Sequence, residues 1–268
     1  MIPKIIIQTW KTRDLPDHYK HNQQLLMKYN PTYQYMFFDD NDIIKFINEN
    51  YPEMINIIKK FTKVIQVIDL FRLLVIYKFG GFYFDMDFKI EKSLDPLLSE
   101  TCVFPAEMLK NDSILQKYNK NYNIGNYAFA ASVNNPVILA IINNIDKAVS
   151  DPNWAQIPKS INNNEDPQHT MVYYTTGPII VSRTVFEHLN SVKILFPSNW
   201  SYNYRERYPV DSWFRFGDYG VHTMTGTWKD NNIEHMTCDN NIYNSDTIFL
   251  IIVILFIIFV IYCLIKNQ

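Results

Sequence analysis

Short apolar, β-branched runs alternate along this chain with segments of helical period, and that alternation sets the order of elements. Residues 2–9 (IPKIIIQT) predict a first strand buried on both faces. Residues 17–29 predict a helix, and residues 33–38 a second strand rich in aromatics. Asp39-Asp40 offers the N-cap of a helix reaching about residue 50, and a short helix follows Pro52. Residues 63–79 are apolar nearly all round, which marks a helix covered on every side. Gly80-Gly81 ends it, and Phe82-Tyr83-Phe84 makes a short strand that runs into Asp85-Met86-Asp87. Farther on, residues 101–105, 127–133 and 193–196 predict strands, and residues 136–149 and 178–189 helices. Residues 151–168 form a polar loop or flap, and residues 199–243 are aromatic and irregular. Strands alternating with helices predict a single α/β domain of Rossmann type with a mostly parallel sheet, over residues 1–245. Such sheets bind ligands at the carboxyl ends of their strands.

The end of the chain has a different pattern. Residues 248–265 (IFLIIVILFIIFVIYCLI) carry no charge. At helical rise they span about 27 Å, close to the apolar thickness of a bilayer. This predicts one C-terminal transmembrane helix over residues 247–265. The flanking charges, Lys229 upstream and Lys266 downstream, nearly balance and so say little about orientation, and Pro3 and Lys4 interrupt the apolar start of the chain. A single-pass C-terminal anchor with the domain facing the cytosol is the expectation. A net charge of −2 provides no concentrated basic face, so no nucleic acid is expected as a partner. Cys102, Cys238 and Cys263 lie too far apart for zinc-ligand or redox spacing.

Candidate chemistry begins with Asp85 and Asp87. Two carboxylates one residue apart at a strand end can converge on one hard cation through oxygen ligands. Such a cation neutralises a bound diphosphate and stabilises it as a leaving group. The other Asp-x-Asp triplet, Asp40-Asn41-Asp42, enters a helix at once and reads as helix capping. Asp69 and Arg72 stand three apart on one face of the buried helix, and Gln66 extends the same polar stripe. They form either a structural ion pair or the wall of a polar cleft that takes a sugar and a diphosphate.

The stretch from Gln66 to Asp87 (QVIDLFRLLVIYKFGGFYFDMD) resembles the DXD sugar-binding region of glycosyltransferase family 32. That family includes Golgi and inositol-phosphoceramide mannosyltransferases and is related to the clostridial glucosylating toxins. Outside this stretch, residues 2–10 resemble the family's opening strand, although relatives often carry His where this chain has Ile7. Residues 126–136, Thr176-Gly177-Pro178 and residues 222–228 resemble later elements. The resemblance implies a GT-A-like fold and a metal-dependent hexosyltransferase. Its donor would be a nucleotide sugar, GDP-mannose or a UDP-hexose. Its acceptor would be a hydroxyl on a glycan, glycolipid or glycoprotein, with anomeric configuration retained. Asp87 would then ligate Mn²⁺ or Mg²⁺, Asp85 would contact the ribose or the metal, and Asp69 and Arg72 would hydrogen-bond the donor sugar. Trp10 and Trp228 would contact the nucleotide, and His222 would be a further metal ligand. Two rivals share part of this chemistry. A catalytically inactive, membrane-anchored nucleotide-sugar-binding protein would release nothing, and a nucleotidyltransferase would release pyrophosphate.

Overall fold

The computed structural model describes residues 1–107, 113–158, 167–198, 200 and 214–224. In chain order the elements are β1 (Ile5–Thr9), α1 (Asp17–Tyr29), β2 (Gln34–Phe38), α2 (Asp40–Asn50), α3 (Ile55–Ile58), α4 (Val64–Phe79), β3 (Gly81–Phe84), β4 (Phe88–Ile90) and β5 (Cys102–Glu107). Then follow α5 (Ser113–Lys117), β6 (Asn123–Ile124), β7 (Ala128–Ala131), α6 (Pro136–Ser150), α7 (Pro152–Ala155), α8 (Pro167–Thr175), α9 (Pro178–Glu187), β8 (Lys193–Leu195) and β9 (Gly220–His222). All of them lie in one compact unit, Met1–Asn232. The expected transmembrane helix at 247–265 and the end of the expected 1–245 domain fall outside the described residues. Among the described residues, no helix is long and apolar enough to cross a membrane.

β2, β1 and β3 pair in parallel, as the alternation predicts. The rest of the sheet corrects the expectation of a mostly parallel one. β3 pairs antiparallel with β7, and β7 antiparallel with β5, while β8 runs parallel to β5 along its other edge. The sheet is therefore mixed. The physical reason is that β7 enters between β3 and β5 from the opposite end, and no local residue pattern encodes the direction of that pairing.

The two sheet faces are covered differently. Ile6, Phe82, Phe84, Val103 and Ala130 pack in one buried cluster with Leu26 of α1, Phe88 and Ile90 of β4, and Phe214 and Phe216 beside β9. On the opposite face, α4 packs against β3 and β7 and against α2, α6 and α8. Ten of its sixteen residues are buried, as an all-round apolar helix requires. Its first turn is closed by Gln66, whose Oε1 accepts from the backbone N–H of Thr62 (2.8 Å) and Lys63 (3.1 Å).

Two glycines allow the passage from α4 to β3. Gly80 caps the helix at φ 64° and Gly81 opens the strand at φ +99°, a region side chains avoid. A Cβ on Gly81 would also meet the Ile5 carbonyl oxygen at 2.5 Å. The close pairing of β1 with β3, which aligns the ends of both strands, depends on that missing atom.

The Asp40-Asn41-Asp42 triplet behaves as capping. Asp39 Oδ1 accepts from the Asp42 N–H at 3.0 Å, and Asp42 Oδ2 accepts from the Asp39 N–H at 3.2 Å. The segment expected as a loop over 151–168 contains α7 and the first turn of α8, and residues 159–166 fall outside the described set.

Candidate active site

At the carboxyl end of β3 the chain turns sharply. The Asp85 N–H donates to the Tyr127 carbonyl at 2.8 Å, and the Phe88 N–H donates to the Asp85 carbonyl at 3.0 Å. Successive side chains then take opposite directions. Met86 is buried with Leu15 and Tyr19, and Trp10 and Phe37 pack on that cluster. Its burial anchors the turn, and the two carboxylates beside it face Arg72 and His222.

The partner of Asp87 comes from far along the chain. β4 and β9 form a two-stranded antiparallel sheet in which Phe88 stands opposite His222. The Thr223 N–H (3.0 Å) and hydroxyl (2.9 Å) both donate to the Asp87 carbonyl. This places His222 Nε2 2.9 Å from Asp87 Oδ1. The imidazole lies flat on Tyr127, with ring centroids 4.4 Å apart and planes 5° from parallel. Asp85, Asp87 and His222 each offer a ligand atom, and all three atoms lie within 4.8 Å of one another. Asp85 is the most open, with 26% of its side chain exposed against 11% for Asp87. It is the carboxylate best placed to meet a ligand from solution.

Behind this group stands the ion pair predicted on α4. Arg72 Nη2 lies 3.3 Å from Asp69 Oδ1, and Arg72 Nη1 lies 3.3 Å from Asp85 Oδ1. Arg72 Nη1 also donates to the Asn126 carbonyl at 2.7 Å, and its guanidinium lies over the Tyr83 ring. Asp69 accepts from Asn126 Nδ2 (3.1 Å) and the Thr176 hydroxyl (2.9 Å). The Tyr83 hydroxyl donates to Asp85 Oδ1 at 2.9 Å and meets the Thr9 hydroxyl at 3.2 Å. The pair is therefore a hub, because one guanidinium ties the buried helix to the DXD turn.

Burial governs the electrostatics. It pushes the Asp69 carboxyl up to about 6, against the opposing pull of Arg72, Thr176 and Asn126. It raises Asp85 as well, opposed by the charges of Arg72 and His222. Burial alone would lower His222, but its hydrogen bond to Asp87 and the charges of Asp87, Asp85 and Glu107 outweigh that and raise it. Arg72 is held as a cation, since Asp85, Tyr83 and Asp69 more than offset its desolvation.

The residues fit a divalent cation. Two carboxylates and one imidazole nitrogen make a donor set that suits Mn²⁺ better than Mg²⁺, which prefers oxygen alone. His222 Nδ1 is buried with no hydrogen-bond partner among the described residues, so the polar chemistry of this ring is directed through Nε2, toward Asp85 and Asp87.

The structure thus brings together Asp85, Asp87, His222, Asp69 and Arg72. Trp10 adjoins the DXD turn through Met86, packed edge-on against Tyr19 at 4.6 Å. Trp228 lies outside the described residues. Gln66 caps α4 and donates to Thr175 Oγ1 at 3.0 Å, a structural duty. Ile7, where relatives often carry His, is fully buried in the sheet. Sequence reasoning missed Tyr83 and Tyr127 as parts of the site. Asn126 and Thr176 stand in segments that resemble family elements, and the structure gives both a partner in Asp69. Asn126 reaches it because the register of β5 slips by three residues between β7 and β6. Asn126 falls at that slip, between Gly125, whose N–H donates to the Pro105 carbonyl at 3.0 Å, and Tyr127, whose carbonyl accepts from Asp85, so the chain bulges there.

Comparison with known proteins agrees with this geometry. Residues 16–104 match the family described as "Glycosyltransferase sugar-binding region containing DXD motif". The match covers a third of the chain, includes Asp69, Arg72, Asp85 and Asp87, and agrees with the resemblance to glycosyltransferase family 32. Mannosyl phosphorylinositol ceramide synthase SUR1 of Saccharomyces cerevisiae is 36% identical over 114 residues, or 42% of this chain and 29% of that protein. Inositol phosphoceramide mannosyltransferase 3 of Schizosaccharomyces pombe is 29% identical over 181 residues, or 68% of this chain and 44% of that protein. The chain thus spans less than half the length of these two relatives. Among solved structures, the PaToxG glycosyltransferase aligns over 70% of each chain, with a TM-score of 0.44 and 15% identity.

Proposed function

We propose that this chain is a metal-dependent glycosyltransferase of GT-A-like fold. It transfers a hexose from a nucleotide-sugar donor, GDP-mannose or a UDP-hexose, to a hydroxyl acceptor with retention at the anomeric carbon. The observation that carries this reading is the convergence of Asp85, Asp87 and His222 beside the buried Asp69–Arg72 pair, at the carboxyl edge of the sheet. The names of the relatives add mannose as the sugar and an inositol phosphoceramide as the acceptor class.

The roles follow from position. Asp87, with Asp85 and His222, would hold Mn²⁺ or Mg²⁺, which supplies charge neutralisation of the donor diphosphate as it departs. Asp85, the most exposed of the three, also faces the ribose. Asp69 and Arg72 bind the donor sugar through the hydrogen-bonding capacity their hub leaves over, and Arg72 orients Asp85 and opposes the effect of burial on its carboxyl. Trp10 borders the nucleotide from the end of β1, and Trp228 is assigned to the nucleotide by resemblance alone. The buried apolar wall behind the turn excludes water, which strengthens each of these contacts. The apolar segment at 247–265 anchors the domain at a membrane, where a lipid-linked acceptor is presented.

The test is a panel of nucleotide sugars incubated with the full chain and Mn²⁺, with the released nucleotide identified. A glycosyltransferase releases nucleoside diphosphate. Release stops with EDTA and falls at least about 100-fold in Asp87→Asn, as loss of a main electrostatic contribution to the transition state requires. Undiminished release by Asp87→Asn refutes the assignment, and pyrophosphate as product points to nucleotidyl transfer.

A further inference from the structure

Building on the reading of this cleft as a donor site, we propose that Glu107 and Asn123 form the subsite that holds the hydroxyl receiving the sugar. β5 runs in the same direction as β3, since each is antiparallel to β7, so both strands end at one edge of the sheet. Phe82 and Val103 both stand opposite Ala130, and counting on along each strand places Glu107 level with Met86, the centre of the DXD turn. Two strand spacings, about 10 Å, separate them.

The face is also the right one. Val103 lies in the buried cluster on the side covered by β4 and by Phe214 and Phe216 beside β9, and Glu107, four residues farther along the strand, shares that side. His222 sits on β9 and is therefore on the same side. Glu107 and Asn123 stand directly opposite each other in the β5–β6 pair, so their side chains are neighbours. Gly125 makes room for Glu107 and Tyr127. A Cβ there would meet Glu107 Oε2 at 3.1 Å and Tyr127 Cε1 at 2.5 Å, and it is the Tyr127 ring on which His222 stacks. Glu107, Gly125, Tyr127 and His222 thus form a continuous wall from β5 to the DXD turn.

Asn123 shows what this wall is for. It is fully buried, yet among the described residues neither its Nδ2 nor its Oδ1 has a hydrogen-bond partner. A buried amide left unmatched destabilises a fold, and native structures contain few of them. Glu107, itself only 7% exposed, adds a carboxylate beside it. The Asn123 amide offers a donor and an acceptor, which can hold a single sugar or polyol hydroxyl by its lone pair and its proton, with the Glu107 carboxylate alongside. In the transfer, that hydroxyl oxygen bonds to the anomeric carbon and the bond from that carbon to the diphosphate oxygen breaks. The nucleoside diphosphate leaves with the electron pair and takes up the hydroxyl proton. Glu107 and Asn123 are positioning residues for the attacking oxygen and do not contact the diphosphate.

Donor hydrolysis, in which water occupies the acceptor's place, separates the two sites. The test uses the full chain with Mn²⁺ and whichever of GDP-mannose and UDP-glucose it hydrolyses. Glu107→Gln and Asn123→Leu are expected to lower kcat at least tenfold. The donor KM and the affinity for the matching nucleoside diphosphate are expected to stay within about twofold. Glu107→Asp is expected to recover part of the rate. Asn123→Leu is also expected to raise the thermal midpoint, because it replaces an unmatched amide with an apolar group of similar size. A kcat equal to that of the unsubstituted chain overturns the subsite and leaves the donor site standing. So does a change in donor KM that accompanies the fall in kcat, or a lowered midpoint in Asn123→Leu. Failure of the unsubstituted chain to bind any nucleoside diphosphate overturns the donor site itself.

Discussion

Replacing Arg72 by Gln tests the hub that joins the buried helix to the DXD turn. The substitution removes the positive charge from between two carboxylates. Asp69 and Arg72 side chains are each 4% exposed, so solvent cannot compensate. It also removes the 2.7 Å bond to the Asn126 carbonyl that holds the bulge in place. Breaking a buried pair by deleting one partner destabilises by about 3–5 kcal/mol, because the remaining charge stays desolvated. That is a large part of the roughly 5–15 kcal/mol typical of a folded domain. Asp69→Asn is the milder change, near 1 kcal/mol, an ordinary hydrogen-bond loss. Burial already pushes its carboxyl toward neutrality, and Arg72 keeps Asp85 as a partner. The double variant is expected to cost at least about 1 kcal/mol less than the sum of the two, since the second change relieves the stranded charge left by the first. Urea unfolding followed by tryptophan fluorescence, with equal m values across the set, measures this coupling. Additive single changes, or an Arg72→Gln cost below about 1 kcal/mol, refute the hub.

Two further outcomes follow from other parts of the chain. Gly81→Ala forces a Cβ onto a backbone at φ +99° and against the Ile5 carbonyl, so the thermal midpoint is expected to fall by more than about 3 °C; an unchanged midpoint contradicts the β1–β3 close approach. Burial, with Asp39 adding its charge, pushes the Asp40 carboxyl from its ordinary 3.8 up to about 6. Between those values the folded chain holds a proton that the unfolded chain has lost, so this group's contribution is full below about pH 4 and is lost as pH rises through 6. Asp40→Asn is expected to narrow its midpoint difference from the unsubstituted chain at pH 4 and to gain on it by pH 7, with a constant difference as the contrary result.

Much of the fold was legible because local patterns encode it. The helix over Asp17–Tyr29 is legible at its observed limits, and α4 is legible from its nearly all-round apolar surface and its glycine stop. Asp85 and Asp87 were placed at the end of a strand, where they stand. What could not be read lies in pairings between distant segments. The strands Phe88–Ile90 and Gly220–His222 are three residues each and too short to show a period, yet their pairing delivers His222 to Asp87 across 135 residues of chain. The resemblance suggested His222, and the sequence pattern supplied no mechanism for its arrival. Strand direction escaped for the same reason. β7 has the same small apolar residues whichever way it runs, so the mixed sheet was invisible. The bulge at Gly125–Tyr127, which turns Asn126 toward Asp69, follows from a register slip that exists only once β5, β6 and β7 are assembled.

The proposed function requires that the DXD turn and His222 form a divalent-cation site that nucleotide completes. Calorimetric titration of Mn²⁺ into the full chain, with and without GDP or UDP, measures it most directly. One cation per chain is expected to bind, with affinity raised by one of the two nucleotides. Asp87→Asn is expected to abolish binding and His222→Ala to weaken it, with thermal midpoints in the absence of metal showing that both variants remain folded. Mn²⁺ binding to Asp87→Asn as tight as to the unsubstituted chain contradicts the account.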